Sequence, residues 1–60
     1  MGLIKINELI AMTKLSRPTI YRLIKAGKFP SQLKTSPKTV AWEKSEIEGW
    51  IRKLIMEREG

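Results

Sequence analysis

The sequence predicts a mainly α domain of three helices with one small β-hairpin, and three observations carry that expectation. Leu9–Pro30 reads as two short helices meeting at a tight corner. Gln32–Thr35 and Thr39–Trp42 alternate in the β manner around a Ser36-Pro37-Lys38 tip. Beyond Ser45 the apolar residues recur at helical spacing. Sixty residues allow a single domain, 1–60. A domain of that size buries only roughly 60% of the surface its unfolded chain exposes, which leaves no core to spare for a substrate cavity.

The first helix is expected over Asn7–Thr13, with Asn7 at the N-cap and Glu8 in the first turn, where the helix dipole favours an anion. Leu9, Ile10 and Met12 supply its buried side. Thr13-Lys14-Leu15 forms the corner. Ser16 caps the second helix, and Pro18 fits the first turn because its missing N–H had no intrahelical acceptor there. Leu15 and Ile20 stand at the two positions of a hydrophobic staple. Lys25 near the end and Gly27 just beyond it are stop signals.

After Gly27, Phe29-Pro30 breaks the helical period. A hairpin over Gln32–Trp42 turns Leu33, Val40 and Trp42 inward and Lys34, Lys38 and Thr39 outward. Ser45 and Glu48 have the spacing of a capping box for a third helix running to about Arg58. Ile47, Trp50, Ile51 and Leu54 then form its core stripe. Gly49 lies on the opposite side, where it costs about 1 kcal/mol relative to Ala. Trp42 and Trp50 read as core residues rather than as stacking platforms for single strands.

Charge is segregated along the chain. Residues 1–42 hold eight Lys/Arg against Glu8 alone, a net +7, whereas residues 43–60 hold four against five Glu, a net −1. A one-sided positive field attracts and steers a polyanion. Cys, His and Asp are absent. Disulfides and thiolate metal sites are thereby excluded, as are an imidazole base and a thiolate nucleophile. No glycine-rich loop has phosphate-cradling spacing. The expectation is a protein that is not an enzyme, with no cofactor, no metal and no small-molecule substrate. No apolar run approaches the roughly 20 residues of a spanning helix, and Met1–Ile4 is too short for a signal core. No membrane partner and a cytoplasmic location are therefore expected.

On a wheel of about 100° per residue centred on Ile20, Leu23 and Ile24 share the buried stripe. Pro18, Tyr21, Arg22 and Lys25 fall on the opposite half, flanked by Arg17 and Thr19 at the N-terminal end. That set suits a DNA major groove. Arg can bond guanine O6 and N7 in bidentate fashion, and Thr can offer base edges a hydroxyl or a methyl. Tyr and Lys reach phosphates, and Ser16 with the helix N-terminus can donate backbone N–H groups to a phosphate oxygen. On the hairpin, Lys34, Ser36, Lys38 and Thr39 form a projecting tip that can touch the DNA backbone as a wing does. The predicted architecture is a winged helix-turn-helix.

Leu15-Ser16-Arg17-Pro18-Thr19-Ile20-Tyr21-Arg22, Gly27-Lys28-Phe29-Pro30, Val40-Ala41-Trp42 and Ser45-Glu46-Ile47 together resemble the AlpA-type prophage regulators. These are small winged helix-turn-helix proteins related to the MerR DNA-binding domain and to phage excisionases. The resemblance extends from Leu3 to Ile55. It implies a protein of a prophage or genomic island that binds double-stranded DNA near an attachment site or promoter. There it acts as transcriptional regulator of integrase and excision, or directly as an excisionase, a recombination directionality factor. It further implies integrase or further copies of the chain on DNA as partners. By position, the recognition helix maps onto Ser16–Ala26, and Arg17, Thr19, Tyr21 and Arg22 inherit the contact roles. Where that family often carries a Gly-Arg pair in the wing, this chain has Ser36-Pro37-Lys38-Thr39. Lys38 keeps the charge without the bidentate fork, which leaves the wing a phosphate contact. The rival reading, from another class, is a protein-interaction module such as an antirepressor or integrase-binding factor.

Overall fold

The computed structural model describes residues 2–59. In chain order it runs β1 (Leu3–Ile4), α1 (Ile6–Thr13), α2 (Arg17–Lys25), β2 (Leu33–Ser36), β3 (Thr39–Glu43) and α3 (Lys44–Glu59). The three strands make one antiparallel sheet in the order β1-β3-β2. Three helices and this sheet give a winged helix-turn-helix, as expected.

The additional strand is β1. Leu3 pairs with Glu43 and Ile4 with Trp42, and the pairing continues as Lys44 N–H donates to the Gly2 carbonyl at 2.8 Å. Two residues are too few to show an alternation, so only the tertiary pairing reveals the strand. Its effect is to make β3 the central strand. Ala41 and Trp42 on that strand are both buried.

The core gathers one or two residues from each layer: Ile4, Leu9, Ile20, Phe29, Trp42 and Ile47. Leu15, Leu23, Ile24, Val40, Trp50 and Ile51 pack around it, half-buried. The two indoles also tie down the chain between α2 and the hairpin. Trp42 Nε1 donates to the Pro30 carbonyl at 3.2 Å, and Trp50 Nε1 donates to the Lys28 carbonyl at 2.8 Å. Phe29 meets Trp50 edge to face at 4.6 Å between ring centroids.

Several local expectations shift. α1 begins at Ile6 with Lys5 at the cap, not at Asn7. The Ile6 side chain belongs to the core margin, so the helix must start immediately after β1 to deliver it. Glu8 still serves the first turn, its Oε1 accepting from Lys5 N–H at 3.5 Å. The Ser45–Glu48 box does not form. β3 runs straight into α3, which places Ser45 inside the helix, and Glu43 Oε1 takes the Ser45 N–H at 2.9 Å. Each strand of the hairpin extends to a later residue than expected, β2 to Ser36 and β3 to Glu43, around a Pro37–Lys38 turn.

Leu33 points outward, 45% exposed. Its register partner is Ala41, so it occupies the sheet face opposite to Val40 and Trp42. Thr39 is half-buried rather than fully outward. Leu54, expected in the core stripe, is also exposed. α3 has 16 residues, about 24 Å of helix, and outruns a core that reaches only to Ile51 along it.

Two measurements check this account. Trp42→Ala should cost about 3–5 kcal/mol, comparable to the whole stability of so small a domain. Thermal melting should then show no cooperative transition at room temperature and above. Glu43 has its carboxyl held below the ordinary value of 4.5, first by the backbone hydrogen bond from Ser45 and then by that residue's side chain. A depressed folded pKa stabilises above the unfolded value and loses that contribution as pH falls through the folded one. The melting temperature of wild type should therefore exceed that of Glu43→Ala by a constant margin well above pH 4.5. The margin should close on further acidification.

Candidate nucleic-acid interface

The corner that mounts α2 is built from local hydrogen bonds. Thr13 Oγ1 donates to the Leu9 carbonyl at 2.9 Å and accepts from Leu15 N–H at 3.3 Å. Lys14 takes a left-handed backbone, φ 62°, and its N–H donates to the Ile10 carbonyl at 2.8 Å. That single residue reverses the chain out of α1. Ser16 then caps α2, its Oγ accepting from Thr19 N–H at 3.4 Å and lying 2.8 Å from Thr19 Oγ1. The hydroxyls of Ser16 and Thr19, both candidate contacts, are thus engaged in shaping the helix start.

The far end of α2 is closed as firmly. Gly27 adopts φ 75°, a conformation strained for any residue with a Cβ. Lys28 N–H reaches the Leu23 carbonyl at 2.9 Å and Gly27 N–H the Ile24 carbonyl at 3.0 Å. This is a Schellman closure. Between its two caps the helix is held by Ile20, fully buried, with Leu15, Leu23 and Ile24 packed beside it.

Of the predicted contact residues on this helix, Ser16, Arg17, Pro18, Arg22 and Lys25 are exposed and Thr19 is half-buried. Tyr21 departs from the fully exposed position expected of it. It is half-buried and packed on the core, its ring 6.2 Å from that of Trp42 in an edge-on contact at 62°. The wheel places Tyr21 about 100° from Ile20, at the margin of the buried stripe, where a large ring reaches the neighbouring strand. The Arg17 guanidinium lies 6.0 Å from the centroid of the same ring. An attraction of about 0.5–1 kcal/mol at an exposed site biases the arginine toward that position.

On the hairpin Lys34, Ser36 and Lys38 are exposed and Thr39 half-buried. Lys34 pairs with Val40 and so shares the sheet face of Trp42, the side from which Tyr21 approaches. The tip is braced by Thr35 Oγ1 donating to the Thr39 carbonyl at 3.2 Å and Lys38 N–H donating to Ser36 Oγ at 3.4 Å. Lys38 stands four positions before Trp42, about 13 Å from it along the extended chain. Two residues outside the predicted set join this surface: Lys14, an exposed cation two residues before the helix cap, and Thr35, which shapes the tip. A non-glycine residue between two tightly spaced helices was the available signal for the first. The paired threonines flanking Ser36-Pro37-Lys38 were the signal for the second.

Residues 2–55 match the family model described as prophage CP4-57 regulatory protein (AlpA). The chain belongs to the AlpA family. Among curated proteins, an uncharacterized protein, ORF88 of Enterobacteria phage P4, is 40% identical to this AlpA-family chain over 55 residues. That match covers 92% of this chain and 62% of the phage protein, so the chain spans less than two thirds of its relative's length. A phage regulatory family on a winged helix-turn-helix accords with the solvent-facing cations of α2 and the tip. Among the described residues no group of three or more His, Cys, Asp or Glu could hold a metal ion. No helix among them is long and apolar enough to cross a membrane.

Proposed function

We propose that this AlpA-family chain binds double-stranded DNA with sequence specificity, α2 in the major groove and the hairpin tip on the phosphate backbone. The observation that carries the reading is α2 itself. It is capped at both ends, anchored through Ile20, and presents Arg22 and Lys25 to solvent on the side away from its buried stripe, with Arg17 exposed at its N-terminal end. In this mode Ser16, Pro18 and Thr19 bring the helix N-terminus close to the DNA, and Tyr21 contributes its outer edge. Lys34, Ser36, Lys38 and Thr39 make the wing contact. The family supports a regulatory role in a prophage. The proposed action is control of integrase expression and excision, as a transcriptional regulator or as an excisionase, with integrase or further copies of the chain as partners on DNA.

Five cations are assigned to the interface: Arg17, Arg22, Lys25, Lys34 and Lys38. If they neutralise about five phosphates, log K for duplex DNA should fall against log salt with a slope near −4 to −5. A footprint over the attachment region, repeated across salt concentrations, tests the proposal. A shallow slope with indifference to competitor DNA would point to an acidic protein partner instead. Arg22→Ala should cost about 1–3 kcal/mol at the target site and relax preference at one base position. Lys38→Ala should weaken binding mildly and equally on all sequences. A uniform loss for Arg22→Ala makes that side chain a phosphate contact, and an unchanged affinity for Lys38→Ala at low salt removes the wing.

A further inference from the structure

One flank of α3 takes no part in the DNA-binding reading. Beside it runs a groove of about 680 Å³, between the helix and the chain that follows α2, lined by Leu23, Phe29, Trp50 and Leu54. Its α3 wall carries Glu46, Gly49, Lys53 and Glu57, which stand at i, i+3, i+7 and i+11 on one stripe. Glu46 and Lys53 are exposed, and a Cβ placed on Gly49 would meet nothing within 4 Å. Leu54 is 45% exposed at the end of this wall, and Ile55 and Met56 follow it in solvent. The helix thus shows a bare backbone between a negative and a positive side chain, with apolar surface alongside.

We propose that this face of α3 pairs antiparallel with the same face of a second copy, about a two-fold axis near Gly49 and Trp50. A two-fold interface must be self-complementary, so the face that forms it needs both halves of every match. Around Gly49 this stripe has them, and Glu57 lies beyond the overlap of the two helices. With the axis between residues 49 and 50, Glu46 of each copy falls opposite Lys53 of the other. The two ion pairs are then separated by seven residues, about 10.5 Å of helix. The missing side chain at Gly49 lets the helix axes approach to the short end of the 8–10 Å range. Long-range charge favours the same face. Residues 1–42 carry a net +7 and residues 43–60 a net −1, so pairing through α3 keeps the two strongly basic halves apart. Arg17, Arg22 and Lys38 do not line the groove and stay free for nucleic acid.

The surface is small, so the association is weak, with a dissociation constant on the order of 100 µM. Sedimentation equilibrium of the chain without DNA, from about 10 µM to about 1 mM, should show the mass rising from one copy toward two. Glu46→Lys and Lys53→Glu each place like charges at both pairs, and each should weaken association roughly ten-fold. The double variant Glu46→Lys/Lys53→Glu reverses both pairs together and should restore it. Circular-dichroism melts establish that each variant is folded. A one-copy mass for wild type at about 1 mM overturns the proposal. So does association that ignores the single substitutions, or a folded double variant no better than the singles. Because no DNA is present, these outcomes are independent of the DNA-binding reading.

Discussion

The rest of the structure depends on where Trp42 sits. Its indole is fully buried on the central strand, paired in register with Ile4 of β1. From that position it contacts both α2 and the segment that follows it. It holds the Pro30 carbonyl, which fixes the path from α2 to the hairpin, and it receives the edge of the Tyr21 ring from α2. A polar N–H buried with a bulky aromatic body is stable only where an acceptor is supplied. The break in helical structure at Phe29-Pro30 supplies it, leaving a carbonyl that no helix ladder uses.

Around that anchor the exposed face of α2 is a rigid surface. Both of its ends are closed, one by Ser16 and the other by the left-handed Gly27. The cations between them ride on a helix that cannot fray by a turn without losing a cap. Rigidity of this kind matters for base recognition, because a contact made by a preorganised side chain loses less conformational entropy on binding. The hydroxyls of Ser16 and Thr19 bond to each other. Their first role is to define the helix start, and any contact with a phosphate is added to that one.

The electrostatic division of the chain follows the structural one. Residues 1–42 hold eight of the twelve Lys and Arg against one Glu, while α3 mixes signs. One half of the molecule is therefore specialised for a polyanion. The other carries a surface on which protein can meet protein without strong repulsion, and the proposed pairing of α3 uses that contrast.

The sequence by itself determined what depends on neighbours a few residues apart. The Ser16 cap with Pro18 in the first turn, the Leu15–Ile20 staple and the Gly27 stop are local chemistry, and α2 has the bounds they imply. The basic character of its outer face and the family resemblance were legible for the same reason. Tertiary structure decided whatever required a distant partner. β1 exists only through its pairing with β3, and that pairing moved the cap of α3 from Ser45 to Glu43. Strand register turned Leu33 outward, since a face is chosen by the partner strand and not by hydrophobicity alone. Tyr21 was drawn half inside by a tryptophan 21 residues away. Helical and capping preferences act over one turn of chain. Sheet register and core packing are settled between segments that the sequence holds far apart.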